Sequence, residues 1–437
     1  MNRAKPTASE QASTSPEGVG TLAEPLEGSV LELDVGSVAH GGHCVARASE
    51  SSPAGGRVVF VRHCLPGERV RAVVTEERSA YLRADAIEVL VAAPGRVEPP
   101  CPHAGPDRCG GCDFQHADPA VQRELKAAVV GELLGRLGGL TPAEVSALRV
   151  RVDELPGGPL GWRTRVQYTV DDYDRPGLLK HRSHEVVTVP RCLIAHPSVQ
   201  AAGVTDRRWP SVDSVEVVAS NAGEVVVLTE SRHAWPAVVS GPAAVHEQAV
   251  GLEWTIPPGV FWQVHPAAAA TLASAVVEML DARRGERVWD LYGGVGLFAA
   301  ALAPGVGTDG RVEVVESDPA AVATGQRALH RLPQISFITA TVERALRGPL
   351  RESTVDLVVL DPPRAGAGRT VVEALVAAAP RAVAYVACDP AALARDVRTF
   401  RSAGWRLAGL RAYDCFPMTH HVECVAHLTP ATPPPPA

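Results

Sequence analysis

The chain has 437 residues, a formal net charge of -7 and 46% hydrophobic residues, which allows about three domains with packed cores. No stretch approaches the roughly 20 apolar residues of a membrane span, and the Ser-, Thr-, Pro- and Glu-rich start has no apolar signal region, so a cytoplasmic protein is expected. Net acidity argues against a large non-specific polyanion binder but allows a local basic groove.

In chain order, residues 1–26 are expected to be disordered, as is the tail 430–437 with its run Pro433 to Pro436. Leu31, Leu33 and Val35 alternate with Glu32 and Asp34, and Val58 to Val61 and Val70 to Val74 follow between Gly and Pro turns. Alternation of period two at this spacing predicts a small β-barrel over 27–92. A central α+β domain, 93–255, opens with a cysteine cluster, carries an amphipathic helix near Val121 to Leu137, and continues as strands around Trp162 to Val170 and Val215 to Leu228. From 256 to 429 strand and helix signals alternate, as a doubly wound parallel α/β sheet demands.

Nine cysteines without a secretion signal favour thiol chemistry or metal ligation over disulfides. Cys101, Cys109 and Cys112 cluster, and Cys192 follows much later. Three clustered thiols and one distant thiol can supply the four ligands that either zinc or an iron-sulfur cluster accepts. Arg163 and Arg165, at alternate positions of a predicted strand, share a face from which they could reach phosphates. His420 and His421 are adjacent, point apart and lack supporting Cys or Asp spacing, so they are read as structural, with His421 lining the site.

The last domain carries the chemistry. The strand Arg287 to Leu291 runs into Tyr292-Gly293-Gly294-Val295-Gly296, where glycines let backbone approach a ligand, and Glu316 ends the next strand where a carboxylate would grip ribose hydroxyls. The turn is Gly-Gly-x-Gly rather than Gly-x-Gly-x-x-Gly, so the cradle for a dinucleotide is incomplete and S-adenosylmethionine fits better. Val355 to Leu360 leads into Asp361-Pro362-Pro363-Arg364, and the proline pair stops the strand with Asp361 at its carboxyl end. Arg364 stands where enzymes that methylate exocyclic amines usually carry an aromatic residue, which disfavours that reaction. Cys388, in Cys388-Asp389-Pro390, sits just past an apolar strand of what reads as a class I methyltransferase domain. A buried cysteine is often only a small packed hydrophobe; the turn at a strand end favours chemistry.

These motifs together resemble the RNA 5-methyluridine methyltransferases, which modify ribosomal or transfer RNA. The resemblance spans roughly residues 28 to 428. It rests on Phe60-Val61 to Leu65-Pro66-Gly67-Glu68, similar to a TRAM domain, on the four cysteines, on Phe261-Trp262-Gln263-Val264-His265, and on the three strand ends above. The run Phe416-Pro417-Met418-Thr419-His420-His421-Val422-Glu423 completes it. The resemblance implies Cys388 as nucleophile, Glu423 as proton-abstracting base, and Gln263, Tyr292, Glu316 and Asp361 as residues that bind the methyl donor or position the uracil. It also implies a [4Fe-4S] cluster on Cys101, Cys109, Cys112 and Cys192 with a structural task. His265 stands where members often carry Asn, and Gly293 where many have Cys.

Uracil C5 is a poor nucleophile, but thiolate addition at C6 gives an enolate whose C5 attacks an electrophilic methyl group. C5 then bears both a proton and the methyl, and a base must remove that proton before the thiolate leaves. The target base must leave its stack, and Phe261 is the candidate to stack on it. A monomer acting on RNA is expected, with 23S ribosomal RNA favoured over transfer RNA. A non-catalytic RNA-binding protein and a cytosine-5 methyltransferase are the competing readings; the first is disfavoured by Cys388 and Glu423 both being present, the second by the Cys-Asp-Pro setting.

Overall fold

The computed structural model describes residues 25–231 and 234–431. The disorder expected for the two tails lies mostly outside that range, although Leu26 is buried against the barrel core. Among the described residues no helix is long and apolar enough to cross a membrane.

Strand Val30–Ala39 buries Leu31, Leu33 and Val35 and turns Glu32 and Asp34 outward, as its alternation requires. It pairs antiparallel with His43–Arg47 and with Arg69–Glu77. Val58–Arg62 and Tyr81–Val91 complete a closed five-stranded barrel, which leaves no long free edge. The tip of its first hairpin, Gly41-Gly42, has φ of 94° and 77°, the left-handed region that glycine enters without penalty. Gly42 is needed for space as well: a Cβ there would stand 2.9 Å from Asp113 Cβ and 3.2 Å from His420 Cβ. The barrel is pressed against the rest of the molecule at that point.

The cysteine segment that follows has no helix or strand of its own before the helix Pro119–Arg136, which Asp118 caps by accepting from Ala120 N at 2.8 Å. Leu125, Val129, Leu133 and Leu134 form the helix's buried stripe, which packs on the helix Pro390–Ser402 just beyond Cys388. A six-stranded sheet of Ala234–Ser240, Val225–Ser231, Ser214–Ala219, Arg165–Val170, Pro176–Leu179 and Val186–Val187 follows in that spatial order.

The largest sheet has eight strands, ordered Ile335–Thr339, Arg311–Glu316, Arg287–Leu291, Leu357–Leu360, Ala382–Ala387, Glu423–Pro430, Trp405–Asp414 and Val152–Glu154. The first five run parallel, and helices cover both faces, so strands such as Leu357–Leu360 and Ala382–Ala387 are apolar and buried throughout. Chain order reverses between Arg287–Leu291 and Leu357–Leu360, which makes their carboxyl ends a topological switch point, the place where such sheets bind ligands. The edge strand Val152–Glu154 comes from the stretch before the six-stranded sheet and pairs parallel with Trp405–Asp414.

Candidate active site

Three carboxyls meet at the switch point. Asp290, fully buried, accepts from Ala299 N at 2.8 Å through one oxygen, while the other has no hydrogen-bond partner. Burial, and then the nearby Asp361 and Glu316, push Asp290 up to about 7; burial raises Asp361 to about 7 as well. Glu316 accepts from Gly294 N at 3.0 Å and from Asp318 N at 2.7 Å, which fixes its carboxylate over the Gly-rich turn. The turn is tight: Tyr292 has φ of 57°, and a Cβ at Gly293 would fall 2.5 Å from Val314 Cγ1, so no larger residue enters without a shift. The orphaned carboxyl oxygen, the fixed Glu316 and the bare backbone suit a cationic donor bearing a ribose.

Cys388 follows Ala382–Ala387 directly, and Glu423 begins the antiparallel neighbour Glu423–Pro430, in register with Tyr413 on its other side. Cys388 is half-buried, and Glu423 is 4% exposed. Burial, then the charges of Glu423 and Asp361, push the Cys388 thiol up to about 11, and Arg364 opposes them. Glu423 is raised well above the ordinary carboxyl range by burial and then by Asp361. The thiol and two carboxyls thus stand at the ends of three neighbouring strands. Burial disfavours the charged form of each, and a cation entering the pocket would offset that cost.

The loop between Trp405–Asp414 and Glu423–Pro430 is fastened to residues far earlier in the chain. Lys126, completely buried, donates to Asp414 Oδ1 at 2.6 Å and to Phe416 O at 3.0 Å. Met418 N donates to Gln122 Oε1 at 2.9 Å, and Asp113 N donates to Met418 O at 2.9 Å. Asp113 Oδ2 receives His420 N at 3.0 Å and lies 2.7 Å from His420 Nδ1. The barrel adds His40, whose Nε2 lies 3.3 Å from Asp389 Oδ2, beside Cys388. Asp389 in turn caps the following helix, accepting from Ala392 N at 2.7 Å.

Of the other residues singled out in the sequence, Phe261 is 62% exposed, a position open to a stacking partner. Gln263 is half-buried next to Trp262, which packs on Trp254 with ring centroids 5.2 Å apart; Trp254 Nε1 donates to Val295 O in the Gly-rich turn at 2.9 Å. His265 is buried, stacks on Trp162 and accepts from Ala267 N at 3.1 Å. Arg165 departs from its reading as a phosphate contact: it donates to both oxygens of Glu216, at 2.8 and 3.4 Å, and to Val260 O. Glu216, on the paired strand, could not be matched to it from spacing alone. His420 is held by Asp113, but its ring lies 4.1 Å from that of His421, so the two do not point apart as expected; Asp113 carried no signal in the sequence, and neither did His40 or Lys126.

None of Cys101, Cys109, Cys112 and Cys192 is in a disulfide. Cys109 and Cys192 each feel the charge of Cys101, and Cys112 that of Cys109 and Cys192. Amide groups point at the sulfurs, Gln115 Nε2 at Cys112 Sγ at 3.2 Å and backbone N–H groups at Cys109 and Cys192. The donor set therefore fits a sulfur-ligated centre in kind. Among the described residues, however, no three His, Cys, Asp or Glu side chains are grouped as a metal-ion site.

Comparison with known proteins agrees with this layout. Residues 25–87 match the TRAM domain model, and residues 249–430 match the model for tRNA (Uracil-5-)-methyltransferase. An RNA methyltransferase of Streptomyces avermitilis is 48% identical over 92% of this chain and 99% of its own length. The 23S rRNA (uracil(1939)-C(5))-methyltransferase RlmD of Chromohalobacter salexigens is 32% identical over 92% of this chain and 90% of its own. The chain belongs to the RNA uracil-C5 methyltransferase family. Such enzymes use S-adenosylmethionine as methyl donor, and this chain joins a class I methyltransferase sheet to an N-terminal TRAM barrel. The fold is also that of the Pyrococcus abyssi tRNA (uracil-54, C5)-methyltransferase solved with S-adenosyl-L-homocysteine, with TM-score 0.67 and 20% identity over 91% of this chain and 99% of that one.

Proposed function

We propose that this enzyme methylates C5 of a uridine in 23S ribosomal RNA through a covalent bond between Cys388 Sγ and uracil C6. The observation that carries the reading is the placement of Asp361, Cys388 and Glu423 at the ends of three adjoining strands. Bound S-adenosylmethionine supplies an electrophilic methyl group and a positive charge. Gln263, Tyr292, Glu316 and Asp361 hold the donor or orient the uracil, and Phe261 stacks on the extruded base.

Cys388 gives its proton to water and adds to C6, and the ring electrons shift toward O4; C5 of the resulting enolate then takes the methyl group as the donor's S–CH3 bond breaks, leaving the neutral thioether. Glu423, ionised once positive charge has entered the pocket, then removes the C5 proton, and the electron pair of that C–H bond expels the thiolate from C6. Arg364 favours the thiolate, since its charge already opposes the upward push on Cys388. The proposed [4Fe-4S] cluster, held by Cys101, Cys109, Cys112 and Cys192, would fix the segment that carries Asp113. Absorbance near 400 nm that disappears on Cys109→Ser would support it, and a colourless zinc-loaded preparation would reject it.

Ribosomal RNA is favoured by the 32% identical relative named for 23S rRNA, and transfer RNA is the second reading because the family model is named for it. Incubation with labelled donor and separate 23S and transfer RNA distinguishes them: label in 23S RNA supports the proposal, and label in transfer RNA alone overturns it. Cys388→Ala should lose about 10⁴-fold or more in turnover and fail to be trapped by 5-fluorouridine RNA. Trapping that persists would reject the nucleophile.

A further inference from the structure

The helix Pro390–Ser402 that follows Cys388 buries an acid among Leu393, Val397 and Phe400: Asp396 is 4% exposed. A carboxylate in such surroundings is tolerated only where donors meet it. Its Oδ2 receives three, the Tyr385 hydroxyl at 2.7 Å, Ala367 N at 2.8 Å and Gly368 N at 3.2 Å. Tyr385, fully buried, shares the Ala367 N–H, accepting it at 3.0 Å. Tyr385 stands three residues before Cys388 and Asp396 eight after it, so the pair joins both flanks of the thiol to one loop.

That loop, 361–367, connects strand Leu357–Leu360 to helix Gly368–Ala378 and carries Asp361 and Arg364. Pro362 and Pro363 bring no N–H to hold it. Asp361 N fixes its upstream end by donating to Leu291 O at 3.2 Å, and Gly366 N closes a turn about Arg364 by donating to Pro363 O at 2.8 Å. Gly366 has φ of 90°, and a Cβ on it would stand 2.7 Å from Asp396 Oδ2 and 3.4 Å from Tyr385 Oη, so the turn is seated directly on the pair. Arg364 itself is exposed, and its place relative to Cys388 follows from that backbone. Glu423 and Asp361 oppose ionisation of the thiol and Arg364 favours it, so the position of the loop matters to the nucleophile.

We propose that Asp396, together with the Tyr385 hydroxyl, is a positioning residue for methyl transfer, seating the loop 361–367 so that Arg364 is held on the Cys388 side of the pocket. The inference rests on Cys388 as nucleophile. Asp396 acts through the loop; its own negative charge, acting directly on the thiol, would have the opposite sign.

The test is the rate at which iodoacetamide alkylates Cys388, read by peptide mass spectrometry on the full-length enzyme without RNA between about pH 7 and 9, where the rate follows the thiolate fraction. Arg364→Ala and Asp396→Ala should each slow it about tenfold, equivalent to one pH unit. The double variant should be no slower than Arg364→Ala alone, because the two share one route. Asp396→Asn keeps an acceptor oxygen and should recover the rate to within about threefold of wild type. Tyr385→Phe, which keeps the packed ring and loses only the hydroxyl, should slow alkylation about threefold and takes the place of Asp396→Ala if that variant melts abnormally. Unchanged or faster alkylation in Asp396→Ala, as loss of a nearby negative charge or a merely loosened fold would give, would overturn the proposal. So would a slowing that multiplies with that of Arg364→Ala. The readout needs no methyl transfer: slow alkylation in Asp396→Ala beside methylation that survives Cys388→Ala would keep this loop contact and reject the nucleophile instead.

Discussion

The donor side of the pocket is held by short-range bonds: Asp290 meets Ala299 nine residues on, and Glu316 meets Gly294 22 residues back. The thiol side is held across the chain, Lys126 to Asp414 over 288 residues and Asp113 to His420 over 307. One strand-turn-helix-strand unit therefore fixes Asp290, the Gly-rich turn and Glu316. The loop leading to Glu423 keeps its shape only while the barrel, the cysteine segment and the helix Pro119–Arg136 remain docked. Donor binding and methyl transfer should accordingly be separable by mutation.

Glu423→Gln should have the largest effect. It leaves the thiol free to add but removes the base, so turnover falls by about 10²–10⁴-fold while a covalent enzyme-RNA band accumulates on denaturing gels; the absence of that band would assign the base elsewhere. Lys126→Met leaves Asp414 buried without its partner, at a cost of about 3–5 kcal/mol. Its melting temperature and methyl transfer should both drop, while donor affinity measured calorimetrically stays within about twofold. A parallel loss of donor binding would erase the contrast between the two halves.

Arg364→Ala should raise the Cys388 thiol further, slow the reaction about tenfold if the change is one pH unit, and shift the rate profile to higher pH. An unshifted profile would remove Arg364 from thiol activation. The smallest effect concerns pH. Asp290 and Asp361 are raised to about 7 in the fold, so the stability they contribute is present below about 4, the unfolded carboxyl range, and is lost as pH rises through about 7. Melting temperature of the donor-free enzyme should decline across that window, and the donor's stabilising effect should grow from pH 6 to 8. A donor effect independent of pH would mean these carboxyls do not face the sulfonium.

The same contrast explains what the sequence disclosed. Strand Arg287–Leu291, the glycine turn and Glu316 lie close together in the chain, so their meeting at one strand end was readable from spacing. The barrel's first strand was equally plain, because Leu31, Leu33 and Val35 alternate. Glu423 could be named only through family likeness, since nothing local distinguishes it from a solvated carboxylate. Val152–Glu154 is too short to show a period, and its place in the large sheet depends on a partner about 260 residues later. Arg165 looked free because Glu216 reaches it only after an antiparallel pairing that residue types do not specify.

The Lys126–Asp414 bridge also bears on how the protein is made. A contact spanning 288 residues closes only after the intervening chain has collapsed into order, and such long loops make late, slow steps in folding. The surroundings of Cys388 are thus among the final parts to mature, and a nascent chain emerging from the ribosome carries that thiol without the contacts that surround it in the finished fold.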